Sequence, residues 1–119
     1  MTKQAHTPFT ALGSKTNVYT ANAADITMLV ADVSNKEMVV ASGNDLVVAH
    51  NTGGSPYTIT VSSVVDPYGR TGDVAAYSLG AGEYAVFGPF ANDGWRQTDG
   101  KLYFEASNAA VKFGVVKLP

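Results

Sequence analysis

Tyr57-Thr58-Ile59-Thr60-Val61-Ser62 alternates strictly between large apolar and hydroxyl side chains. In an extended chain Tyr57, Ile59 and Val61 fall on one face, and Thr58, Thr60 and Ser62 on the other. A period of two in β-favouring residues marks a strand with one buried and one wet face. Asp66-Pro67-Tyr68-Gly69-Arg70-Thr71-Gly72-Asp73 follows closely and cannot continue that strand, so it is a structured loop.

Outward from this pair, turn signals recur at close to the 8–12-residue spacing of all-β domains. Ile26, Met28 and Val30 alternate with Thr27, Leu29 and Ala31. Ser34-Asn35-Lys36 reads as a turn before Met38–Ala41, and Gly43-Asn44-Asp45 as a loop leading into Leu46–His50. The latter two runs, Val-rich on both faces, are expected to form a hairpin in a sheet centre. Asn51–Pro56 breaks the chain before Tyr57. Val74–Leu79 and Glu83–Phe87 flank the Gly80-Ala81-Gly82 turn, and Gly88-Pro89 is expected to end the second run, because proline cannot donate to a ladder.

Asn92-Asp93-Gly94 is a tight turn before Trp95, and Asp99-Gly100 a two-residue hairpin signal before Leu102–Glu105. The last strand, Val111–Val116, sets Val111, Phe113 and Val115 against Lys112. The Ala-rich stretch 21–33 develops no apolar stripe of period 3.6, so strand is preferred there over helix. The expectation is an all-β chain: an antiparallel β-sandwich of about eight short strands, with a jelly roll as its form. An OB-like or other small barrel is the alternative.

The 119 residues suit one domain, expected as residues 21–119 behind an extended N-terminal arm, residues 1–20. Residues 1–24 carry Lys3 and Lys15 and no acid. The remainder holds six basic and ten acidic residues, so +2 and −4 give the net −2. The leader is read either as a frayed terminus or as an arm that orders on a neighbour, with Phe9, Leu12, Lys15 and Tyr19 as its contacts. Charged residues make up 15% of the chain, against ~25% in ordinary soluble domains, which favours a surface covered in part by a partner.

Little in the chain points to catalysis. There is no cysteine, hence no disulfide, thiolate nucleophile or Cys-ligated metal. His6 and His50 lack neighbouring ligands in sequence. Ser55 sits in Gly-Gly-Ser-Pro, where Pro56 removes the N–H that a Gly-x-Ser-x-Gly elbow supplies. No phosphate-cradling glycine motif occurs. Asp66 and Asp73 are weighed as a Ca²⁺ pair against a simpler role, Asp66 capping the Pro67-Tyr68-Gly69 turn and one of the two aspartates pairing with Arg70. Tyr68, Tyr77 and Trp95 are weighed as a sugar-stacking platform against Trp95 as an end plug of the sandwich.

Two unclustered arginines and a net −2 disfavour nucleic acid. No apolar run approaches the ~20 residues that span a bilayer, and Met1-Thr2-Lys3-Gln4 opens no signal peptide. The expectation is a cytosolically made, non-enzymatic protein without cofactor or metal and without a nucleic-acid or membrane partner. Asp66, Tyr68, Arg70, Asp73 and Trp95 are its candidate loop contacts.

The succession Asn51-Thr52-Gly53, Tyr57–Val61, Asp66–Asp73, Gly82-Glu83, Phe87-Gly88-Pro89-Phe90, Gly94-Trp95 and Tyr103–Ser107 resembles the small head decoration, or cement, proteins of tailed bacteriophages. The likeness covers roughly residues 20–118 and rests on turn and packing residues. It implies a jelly-roll or sandwich subunit on the outer capsid surface of a virion assembled in a bacterial cytoplasm. Its partners would be the major capsid protein and further copies of itself, as a homotrimer or a dimer. A head–tail connector, a tail or fibre module, and a carbohydrate-binding module are the alternatives.

Overall fold

The structure, a computed structural model, describes residues 3–11 and 25–118. Ten strands form two sheets, and no helix occurs among the described residues. The strands are β1 (Gln4–His6), β2 (Phe9–Thr10), β3 (Leu29–Val30), β4 (Glu37–Val40) and β5 (Asp45–Asn51), then β6 (Tyr57–Ser62), β7 (Val74–Leu79), β8 (Tyr84–Phe90), β9 (Lys101–Ala106) and β10 (Val111–Lys117). One sheet has the order β1-β4-β9-β6-β7. The other has β2-β10-β5-β8, with β3 also on β10.

The period-two reading of the strands holds. Ile59 and Val61 are buried while Thr58, Thr60 and Ser62 are half-buried. Leu102, Phe104 and Ala106 in β9, and Val111, Phe113 and Val115 in β10, bury one face in the same way. These side chains form one cluster with Val39, Val47 and Ala49, so the two sheets face each other across a shared core. The Phe104 ring, from the first sheet, meets Phe113, from the second, edge-on at 5.0 Å and 80°. Each such buried ring contributes about 1.5–3 kcal/mol by leaving water.

Four details differ from the sequence reading. First, the sheets are mixed rather than purely antiparallel. Pairings among β4 to β10 are all antiparallel, but β1 lies parallel to β4 and β2 parallel to β10. The extra strands come from the leader, whose partners Glu37 and Val116 are far away in sequence, as parallel pairing requires. Second, β4 and β5 form no hairpin. They belong to opposite sheets, and Ser42 turns the chain between them by donating its N–H and Oγ–H to the Asp45 carboxylate, both at 2.7 Å.

Third, β8 runs through Gly88-Pro89, which is a cis peptide, to Phe90. Phe87 opposes Val47 and Phe90 opposes Asp45, so β8 carries one residue more than β5 across this bulge. A proline is tolerated here because β8 is a sheet edge and Pro89 falls in a bulge, outside the regular ladder. Fourth, only Leu29 and Val30 of the 26–31 run are strand. Gly114 has no side chain to keep Ile26 away: a Cβ there would lie 2.7 Å from Ile26 Cδ1.

The leader is therefore part of the body as far as it is described. β1 and β2 each add to a different sheet, and Phe9 is half-buried on β10. Leu12, Lys15 and Tyr19 lie outside the described residues. Among the described residues nothing covers the opposite side: β7 and β8 are the last strands of their sheets, and Tyr77 meets Phe87 edge-on at 5.2 Å between them.

Candidate functional site

Among the described residues β6 and β7 form the one hairpin in which sequence neighbours pair within a sheet, and residues 63–73 connect them. Asp66 organises this connection. Its Oδ1 accepts the N–H of Tyr68 (2.8 Å) and of Arg70 (2.9 Å), and its Oδ2 accepts Arg70 Nε–H (2.9 Å). Its backbone closes the same turn, with Asp66 N–H donating to Arg70 C=O and Gly69 N–H to Asp66 C=O. The Arg70 N–H foremost, aided by the Tyr68 N–H and the guanidinium, holds the Asp66 carboxyl below its ordinary value, although burial works the other way.

Asp73 fastens the far end. Its Oδ1 accepts both Oγ–H and N–H of Ser63 at 2.7 Å, and Ser63 Oγ accepts Gly72 N–H at 3.0 Å. The Ser63 hydroxyl, then its N–H, keeps the Asp73 carboxyl below the usual range. Two aspartates at the ends of a Pro/Gly-rich octet thus make a closed loop because each satisfies N–H groups that no ladder reaches.

A second loop docks on the first. Val64 N–H donates to Gly94 C=O at 2.7 Å. The Asn92-Asp93-Gly94 turn is closed by Arg96 N–H on Asn92 C=O, which places Trp95 half-buried and edge-on to Phe90 at 4.7 Å. Between the loops lies an open cleft of about 190 Å³, walled by Ser63, Val64, Asp66, Arg70, Thr71, Gly72, Asp93, Gly94 and Trp95.

Of the five loop contacts expected from sequence, Asp66, Arg70 and Trp95 line this cleft together. Tyr68 stands outside it, 82% exposed, with the Arg70 guanidinium 5.1 Å above its ring, a weak cation–π contact. Asp73 acts from behind, through Ser63. Ser63, Thr71 and Asp93 were not singled out in the sequence. Asp93 reads there only as a turn residue, and its place two residues before Trp95 is the one signal that would have marked it.

Asp66 and Asp73 spend their carboxylates on separate parts of the loop, and no group of three or more His, Cys, Asp or Glu is poised for a metal among the described residues. His50 stacks on Tyr84 at 3.8 Å and 6°, while His6 is buried against Glu37. No helix among the described residues is long and apolar enough to cross a membrane. Comparisons with protein-family models, with curated proteins and with solved structures find no match for this chain.

Proposed function

We propose that this chain is a structural virion protein that binds the outer surface of a phage capsid and stabilises it. The observation that carries this reading is the bare β7–β8 side. From Val74 to Phe90, 17 residues contain a single charge, Glu83. Tyr77 is 48% exposed, Tyr84 65% and Val86 61%, and Ala75 to Ser78 are all exposed. Edge strands in soluble proteins are ordinarily blunted by charge or cover. The opposite edges carry β1, β2 and β3, whereas this side has only Pro89 and the Tyr77–Phe87 contact. An uncharged, apolar double edge suits burial against protein.

In this reading copies of the chain associate as a homotrimer or dimer and engage the major capsid protein. Several weak contacts made at once then add through effective concentration. The two aspartate-locked ends of the 63–73 loop keep Tyr68 and Arg70 presented as a stiff second contact. The sandwich, with a jelly roll as its form, belongs to the same proposal. It is supported by the shared core and by the path from β4 to β10, in which every connection except β6–β7 crosses between sheets.

Light scattering of the purified protein, followed by sedimentation with undecorated capsids, tests the proposal. A trimer or dimer that pellets with capsids, and loses both properties in Val86→Glu, is expected. A monomer that stays in the supernatant overturns it. Pelleting with isolated tails instead would favour the tail-module alternative.

A further inference from the structure

We propose that the cleft against Trp95 binds a single pyranose unit of a glycan. Its walls are already held in place: the Asp66 and Asp73 hydrogen bonds fix one loop, and Val64 N–H on Gly94 C=O fixes the other against it. A ligand therefore meets a largely preformed site, as small-molecule sites generally are.

Within this frame some polar groups are spent and others are not. The Asp66 carboxylate accepts three hydrogen bonds from its own loop. Arg70 reaches Asp66 through Nε, and its two terminal nitrogens make no hydrogen bond among the described residues. The Asp93 carboxylate and the Thr71 hydroxyl likewise make none among the described residues, and both line the cleft. The free groups thus comprise a carboxylate acceptor, guanidinium donors and a hydroxyl that can do either. They surround the only tryptophan of the chain.

That combination selects the ligand chemistry. Asp66 and Asp93 disfavour a phosphate or another compact anion, and Arg70 beside them disfavours a bare cation. A pyranose offers an apolar C–H face for the indole and a rim of hydroxyls that both donate and accept, and a cleft of about 190 Å³ takes one ring. The cleft sits where the loop before β7 meets the loop after β8, at one end of the β7–β8 edge. Thr71, Asp93 and Trp95, unlike Arg70, have no part in the proposed capsid contact.

Trp95 being the single tryptophan, its fluorescence reports the site directly. The full chain is screened on a glycan array, then titrated with the retained sugars and with glucose, galactose, mannose, rhamnose and N-acetylglucosamine. Inorganic phosphate and CaCl₂ are run as controls. At least one sugar is expected to shift the emission saturably, with Kd on the order of 1 mM for one ring. Asp93→Ala should weaken it about 10-fold, one charged hydrogen bond, with the thermal melt unchanged. Val86→Glu, on the β8 edge, should leave it unaltered. Because Trp95 packs on Phe90, a fold lost in Trp95→Ala is uninformative, and Asp93→Ala is the deciding variant. No retention and no shift, a sugar response that survives Asp93→Ala, or a response to phosphate or Ca²⁺ in place of sugars would each overturn the proposal.

Discussion

His6 Nε2 lies 3.2 Å from Glu37 Oε1, with both side chains buried, so the leader is anchored to β4 by a polar contact inside the protein. The same Glu37 oxygen accepts Gln4 Nε2–H at 2.6 Å, and Oε2 accepts the Asp32 N–H at 2.9 Å. Gln4 Nε2 also donates to Val30 C=O at 2.9 Å. One carboxylate thus joins β1, β4 and the turn before β4, and the His6 ring fills space against Phe104 at 5.2 Å. Removing one member of such a buried set strands the others without partners. Glu37→Ala should cost about 3–5 kcal/mol in denaturant unfolding, and Glu37→Gln clearly less, since an amide still accepts at one oxygen. Equal losses for the two variants would show that packing alone, not hydrogen bonding, holds the leader.

Acid should open the loops before it unfolds the core. Asp66 and Asp73 are held below the ordinary aspartate value of 3.8 by hydrogen bonds to their charged forms. Their contribution to folding is present above that value and is lost as pH falls through the lower, folded values. Asp32, held down chiefly by the Asn35 N–H, and Asp99, held down chiefly by the Tyr103 hydroxyl, lose theirs in the same window. NMR amide resonances of Ser63, Tyr68 and Arg70 should therefore titrate with midpoints below 3.8, and in Asp66→Asn the Tyr68 and Arg70 responses should vanish.

Gly88 adopts φ +114, and a Cβ there would lie 2.7 Å from the backbone oxygen of Asp45. That oxygen and the Phe90 nitrogen, 3.1 Å from the same Cβ position, are backbone atoms, so the clash cannot be relieved by a rotamer change. Gly88→Ala should destabilise by about 1–3 kcal/mol or more. Gly69, also at positive φ but with open space around it, carries only the backbone term and should cost about 1 kcal/mol as alanine. Thermal melts of the two variants side by side check the difference.

Phe113 sits at the centre of the shared core, in contact with Phe104 and His6. Phe113→Ala should cost about 3–5 kcal/mol, and Phe113→Leu less. Tyr84→Ser, on the exposed edge, should lose only its stacking on His50, about 0.5–1.5 kcal/mol, while weakening self-association. A matching loss of folding stability in both Phe113→Ala and Tyr84→Ser would place Tyr84 in the core rather than at an interface.

Much of the site was visible in the chain before its fold. Asp66 as the cap of the Pro67-Tyr68-Gly69 turn follows from its place before that turn, whereas only the structure shows that Asp66 rather than Asp73 takes Arg70. Trp95 as a ring plugging the end of the core follows from its place after a tight turn. That Asp66 and Trp95 share a cleft was not visible, because the link is the Val64–Gly94 backbone hydrogen bond across 30 residues. Nor was the burial of His6, whose partner is Glu37, 31 residues away.

Alternation of apolar and polar residues is a property of neighbours. The sequence by itself therefore determined that the chain is all-β, where Ile59, Val61, Leu102, Phe113 and Val115 point, and where most strands stop. Only the tertiary structure decided that β4 and β5 part company into two sheets, that the leader supplies parallel strands to both, and that β8 passes through Pro89. Each of these depends on which strand lies alongside, and a valine-rich run buries its face equally well in either sheet. Sheet membership, the bare β7–β8 edge and the Trp95 cleft are set by long-range pairing, which no local pattern encodes.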